Sequence, residues 1–222
     1  MIENTEFTLS LVRHGESEIN ATPDIIGQMS NTQLTNKGRE QARKLRAKFL
    51  KRNEEFDFIY SSPYDRAYHT AQLSIPDDKQ KIILVPEIRE YDAGAWTGSS
   101  RSATITDLIK TKMSYLNQSF LPPKGESFAM VERRAAAWLE NEILYNPEMI
   151  AKSAEKKLNG KKLNIVCFSH GITIKSILHY IVGFDKNFTW KIHIDNTSIT
   201  KLFFGEDGWR LLGLNDCSHL EV

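Results

Sequence analysis

The chain predicts a three-layer α/β/α sandwich built on a mostly parallel central sheet, and three observations predict it. Short, apolar, β-branched runs alternate with segments of helical period, the pattern of βαβ units covered on both faces. The two most apolar runs, residues 9–12 and 165–168, lead into the same dipeptide, His14-Gly15 and His170-Gly171. The last two strand-like segments flank Gly205-Glu206-Asp207-Gly208, a tight polar turn that reads as a hairpin.

The first strand spans 7–13 and a polar loop follows over 15–34. Thr35 caps a helix over 35–52, in which Ala42, Leu45 and Phe49 recur at helical spacing. A strand over 56–61 leads into Ser62-Pro63-Tyr64-Asp65, a capping box with Pro at the first helical position, so a helix is predicted from 62 to 74. A strand at 81–85 precedes a long irregular region reaching about residue 127. Helices are predicted over 127–145 and, rich in lysine, over 147–158. A strand over 163–169, a helix over 172–182 and strands over 197–204 and 209–214 complete the order. No linker rich in Pro, Gly or Ser divides the chain, so residues 1–222 read as one domain.

Composition narrows the function classes. Twenty-nine basic and 28 acidic residues leave a net charge of +1, which gives neither nucleic acid nor an anionic membrane anything to bind. No apolar run approaches membrane-spanning length, and the N-terminus lacks the basic flank and apolar stretch of a signal peptide. The two cysteines, Cys167 and Cys217, form neither a CxxC nor a disulfide framework, and Cys167 falls inside an apolar strand as a small hydrophobe. A cytoplasmic location is therefore expected. Oligomeric state is not legible.

In an open α/β sheet, ligand sites form at the carboxyl ends of parallel strands. Two His-Gly pairs about 155 residues apart can therefore face one pocket. Arg13 precedes His14, Arg66 opens a helix at the same edge, and imidazole beside guanidinium suits chemistry on an anion such as a phosphoryl group. A neutral imidazole is a competent nucleophile toward phosphorus, and fixed cationic donors stabilise charge on the equatorial oxygens. Asn20 can add an amide donor, and backbone N–H groups near Gly15 and Gly171 can join it. So much positive charge makes a metal or other cofactor unnecessary. The leaving oxygen needs a proton donor. Glu90, opening a glycine-punctuated loop after the third strand, is well placed, with Asp92 and Glu87 as neighbouring competitors.

Together these residues resemble the histidine phosphatase (phosphoglycerate mutase-like) superfamily. Leu11-Val12-Arg13-His14-Gly15-Glu16-Ser17 with Asn20 is similar to that family's R-H-G-E-[ST] signature. Further matches follow in the family's order: Leu34-Thr35, Gly38, Gln41; Ser61-Ser62-Pro63 with Arg66-Ala67; Glu90, Gly94, Trp96, Gly98; Gly125-Glu126-Ser127 with Arg134; Ser169-His170-Gly171; and Asn196 with Asp207-Gly208-Trp209, Asn215 and His219-Leu220. The resemblance spans roughly 7–220. It implies a phosphoglycerate mutase-like fold and a phosphohistidine on His14. It also implies a phosphate pocket of Arg13, Arg66 and His170 with Asn20, and Glu90 as proton donor. Gly27 and Gly171 join the substrate-binding set. Ile19, Asn31-Thr32-Gln33, Ala95 and Thr97 depart from common family patterns around the expected substrate mouth.

The expected activity is hydrolysis of a small phosphorylated metabolite, the expected partner. A bisphosphoglycerate-dependent mutase is the runner-up. It requires a second basic site, and Arg101, Lys110, Lys112 and Lys124 in 98–126 are scattered. A fructose-2,6-bisphosphatase-like activity is a further alternative, resting on Glu90–Gly94 and Lys124–Ser127, with Lys124 and Arg101 as cations for a second phosphate. A non-catalytic binding module would lack one of the essential charges, and all are present. Elsewhere, His69, His179, His193 and His219 read as structural or surface residues, and Arg39, Arg43, Arg46, Lys48 and Arg52 as a solvated helix face. Trp96, Trp138 and Trp190 read as packing residues, and Arg134 and Glu126 as ion-pair partners.

Overall fold

The computed structural model describes residues 5–27, 31–77, 79–183 and 191–221; Trp190 lies outside them. Its strands are β1 (Phe7–Arg13), β2 (Phe58–Ser61), β3 (Ile82–Leu84), β4 (Leu163–Ser169), β5 (Ile199–Gly205) and β6 (Gly208–Asp216). They form one sheet in the order β3-β2-β4-β1-β5-β6. The first four are parallel, and β5 and β6 run antiparallel as the expected hairpin, with Gly205 opposite Gly208. Among the described residues seven α-helices accompany them: α1 (Asn36–Lys51), α2 (Asp65–Ser74), α3 (Arg101–Thr104), α4 (Asp107–Leu116), α5 (Phe128–Trp138), α6 (Pro147–Leu158) and α7 (Gly171–Val182).

Strand pleat divides the apolar runs between two cores. Leu9, Leu11, Leu163, Ile165 and Cys167 face one side, under Ala135, Trp138, Met149, Ile174 and Ile177. Val12, Val166 and Phe168 face the other, under Leu45, Phe49 and Ala71. Strands buried on both faces explain the continuous apolar runs, and the three layers follow.

Several boundaries differ from the sequence reading. The helix predicted from Ser62 begins at Asp65, with Tyr64 at the N-cap, and both ends of the apparent capping box have tertiary partners. The Ser62 hydroxyl meets His170 Nε2 at 2.8 Å, and Asp65 accepts a hydrogen bond from Gln33 at 2.7 Å. The helix predicted over 127–145 is α-helical only to Trp138 and continues as a π-helix over Leu139–Leu144. The region predicted irregular contains α3 and α4; Thr106 caps α4, which buries no residue. Nor is the face of α1 wholly solvated. Lys48 is buried against Asp216 (2.6 Å) and Ser218 (2.9 Å), and Arg46 donates to the carbonyls of Ile75 and Pro76.

Candidate active site

Register alone brings the two histidines together. Arg13 pairs with Ser169 across β1 and β4, so His14 and His170 are the next residues on neighbouring parallel strands. Their ring centroids lie 5.1 Å apart. Ser61 pairs with Phe168, which sets Ser62 at the same edge, and β5 approaches so that the Asn196 amide donates to the His14 carbonyl at 2.9 Å. Gly15 must be glycine, since a Cβ there would stand 2.6 Å from the Gly38 carbonyl oxygen. Its N–H donates to Thr70 Oγ1 at 2.9 Å.

His14 is buried, and its Nδ1 lies 2.7 Å from the Gly15 carbonyl oxygen. A carbonyl only accepts, so Nδ1 carries the proton and Nε2 the lone pair. Arg66 Nε donates to that Nε2 at 3.3 Å. Burial holds the imidazolium form of His14 well below its ordinary range, and the adjacent Arg66 and Arg13 add to it. His170 is shifted the same way, again first by burial and then by Arg66. Both imidazoles are neutral at neutral pH.

Arg66 is only 2% exposed, and its guanidinium lies over the Tyr64 ring. Arg13 donates to the Ile194 carbonyl at 2.6 Å, while its Nε, like Nδ1 of His170, is buried without a hydrogen-bond partner. Burial lowers the pKa of both guanidiniums, and the Glu90 carboxylate opposes that shift in each. Gly171 opens α7 against Arg13, where a Cβ would sit 3.7 Å from Arg13 Nε. One buried and one half-buried cation, two neutral imidazoles and a helix N-terminus favour an anion at this edge.

Glu90 lies against the start of α7, accepting hydrogen bonds from the N–H groups of Tyr91 (2.9 Å), Ile172 (3.3 Å) and Thr173 (3.3 Å). Its competitors go elsewhere. Asp92 accepts from the Gly94 N–H within its own turn, and Glu87 is exposed. Asn20 Oδ1 is engaged by Ser17 N–H (3.2 Å) and Ser17 hydroxyl (3.1 Å). Gly27 packs on Ile19 and, with Glu90, lines a cavity of about 250 Å³. Tyr91, Trp96, Ile105, Met113, Phe128 and Ile172 supply most of its wall, and Arg101 a single cation. Trp96 is thus a cavity wall as well as a packing residue, whereas Lys124 lies outside the lining.

Of the hydroxyls that hold this edge together, Ser62 and Thr70 fall in segments that resemble the family, whereas Thr173 carries no signal in one sequence. Lys175, one turn into α7, is also close enough to feel Arg13 and Glu90, and burial lowers its pKa. Among the described residues no group of three or more His, Cys, Asp or Glu side chains is arranged to hold a metal ion. No helix of the described residues is long and apolar enough to cross a membrane.

Comparison with known proteins agrees with this geometry. Phosphoserine phosphatase 1 of Hydrogenobacter thermophilus is 31% identical over 223 residues, covering 96% of this chain and 93% of that protein. A 2,3-bisphosphoglycerate-dependent phosphoglycerate mutase of Haemophilus influenzae is 25% identical over 198 residues, covering 79% and 85%. The solved structure of phosphoserine phosphatase from Entamoeba histolytica, in complex with 3-phosphoglyceric acid, superposes with a TM-score of 0.77 at 28% identity, over 96% of this chain and 99% of that one. The fold is therefore phosphoglycerate mutase-like. A profile of the histidine phosphatase superfamily (branch 1) matches residues 9–217, and the chain belongs to that superfamily.

Proposed function

We propose that the protein is a phosphomonoesterase that hydrolyses a small phosphorylated metabolite through a phosphohistidine on His14. One observation carries the reading: a buried imidazole with its proton fixed on Nδ1 presents Nε2 to the buried guanidinium of Arg66, with Arg13 close enough to act on the same imidazole and the Glu90 carboxylate close to both guanidiniums. Nε2 attacks phosphorus and the bond to the leaving oxygen breaks. Glu90 gives that oxygen a proton. The positive charge left on the phosphorylated imidazole is met by the Gly15 carbonyl at Nδ1. In the second half, Glu90 takes a proton from water, the water oxygen attacks phosphorus, and the P–N bond breaks to release phosphate and neutral His14. Arg13, Arg66 and His170, with Asn20, hold the equatorial oxygens throughout.

The cavity beside Glu90 bears on the leaving group. Its wall is mostly apolar with one cation, which favours a monoester over a sugar bisphosphate, whose second phosphate calls for several. The same lack of a second basic cluster favours hydrolysis over the mutase reaction. Two free cysteines suit a cytoplasmic setting. We read the chain as one domain, because β1 and β4 lie side by side from opposite ends of the sequence. The test is hydrolysis of p-nitrophenyl phosphate with EDTA present, for the wild type and His14→Ala. Chelator-resistant activity lost in the variant is the expected result; activity that needs a metal or survives the substitution contradicts it. Incubating 3-phosphoglycerate with a trace of 2,3-bisphosphoglycerate tests the runner-up, where fast isomerisation with little free phosphate would mean a mutase.

A further inference from the structure

Glu90 follows a short 3₁₀ turn over Pro86–Ile88, and the carbonyls of Glu87 through Glu90 are all held. Ser169 Oγ donates to the Ile88 carbonyl at 2.8 Å, and Thr173 Oγ1 to the Arg89 carbonyl at 2.7 Å. Arg134, reaching across from α5, donates to the carbonyls of Glu87, Arg89 (2.8 Å) and Glu90 (3.0 Å). Its guanidinium is in turn fixed by Glu126, whose carboxylate takes Arg134 Nε at 3.0 Å and the Nη2 group at 2.9 Å. Glu126 also accepts from Arg89 at 2.7 Å and from the Asp92 N–H at 3.2 Å. Residues on both sides of Glu90 are therefore tied to one carboxylate–guanidinium pair, and the Glu126 side chain is only 10% exposed.

A pair whose only function was stability would be a poor investment of charge, since burying it costs about as much as its attraction returns. Its value here is geometric. Proton donation to a leaving oxygen needs the carboxyl within hydrogen-bond reach, and an error of about an ångström in a catalytic group reduces rates steeply, by ~10²-fold. A loop alone does not hold that tolerance; a rigid fork bonded to three successive parts of it does. We propose that Glu126 and Arg134 are positioning residues that aim Glu90 at the leaving oxygen, acting on proton donation and not on phosphate binding. This rests on Glu90 being the proton donor.

The test separates that role from a general loss of folded protein. A nitrophenolate leaves without needing a proton, whereas an alkoxide does not. The ratio of kcat/KM for p-nitrophenyl phosphate to that for an alkyl ester such as 2-phenylethyl phosphate therefore reports proton donation, and it is independent of the fraction of active enzyme. Glu90→Gln should raise the ratio about 100-fold, and Glu126→Gln and Arg134→Met each about tenfold. If Glu90→Gln raises the ratio and Glu126→Gln and Arg134→Met leave it unchanged, the positioning role is overturned while the proton-donor role stands. If Glu90→Gln leaves the ratio unchanged, the proton-donor assignment falls and the positioning role with it.

Discussion

The carboxyl edge of the sheet and the segment 98–121 that borders the neighbouring cavity are built on opposite principles. At the edge, His14, Arg66 and His170 are buried, and their places follow from strand register and helix starts. Across 98–121, α3 and α4 bury no residue, and Leu108, Tyr115 and Leu121 are exposed. The first region is fixed by the core and bonds in many directions. The second is held by short helices, caps and a few hydrogen bonds such as Ser100 to Asp24 at 2.7 Å. On the proposed mechanism, the reacting groups sit where the core fixes the backbone, and the contacts proposed to select a leaving group sit where sequence changes cost the fold little.

The contrast can be broken by substitutions on either side. Arg66→Lys keeps the charge and loses the planar fork beside His14, so kcat should fall about 100-fold or more, as when a fixed donor to the transition state is removed. A smaller loss would mean that Arg66 serves the fold rather than the phosphoryl group.

A structural histidine at the far end of α1 sharpens the comparison through pH. His219 is buried against Thr197 at 3.0 Å, and burial, with Lys48 and Lys44 nearby, holds its pKa down to about 4. The unfolded chain protonates this group near pH 6.5 while the folded chain does not, so acid pulls toward unfolding as pH falls from about 6.5 to 4. His219→Gln should remove roughly 2 kcal/mol of that acid sensitivity without moving the pH profile of kcat, as followed by urea unfolding at pH 7 and pH 4.5. An unchanged pH slope would contradict the burial argument.

Trp96→Ala opens one wall of the cavity beside Glu90. It should raise KM for a bulky apolar monoester about tenfold and leave small esters within about twofold, a loss of ~1.4 kcal/mol of apolar contact. Equal effects on both would remove the cavity from the substrate's path. Smallest of all, Tyr115→Ser, at a side chain 88% exposed, should change stability by less than about 0.5 kcal/mol and kcat/KM not at all.

Much of this was legible from residue order, for a physical reason. Buried parallel strands write themselves as unbroken apolar runs, and the shared His-Gly endings placed both histidines at one pocket, whereas the pairing of β1 with β4 came from the structure. Thr35 caps α1 as read, its hydroxyl accepting from Gly38 N–H at 3.0 Å. What failed did so where a tertiary partner outbid a local one. Asp65 turned to Gln33 instead of closing the capping box, and Lys48 left solvent for Asp216. Helix α4, which buries no residue, is marked in the sequence by its Thr106 cap and a short run of Ile109, Met113 and Leu116 at helical spacing. Nothing in one sequence says that Arg134 would reach the carbonyls on either side of Glu90, since backbone acceptors carry no residue type.

The account stands on His14 carrying the phosphoryl group. Mixing enzyme with a radiolabelled phosphate monoester, quenching within the first turnovers and digesting the protein tests this directly. The predicted result is an acid-labile, base-stable label on the peptide containing His14, absent from His14→Ala and accumulating in Glu90→Gln when the leaving group is nitrophenolate. A label on any other residue, or wild-type turnover by His14→Ala, would contradict it.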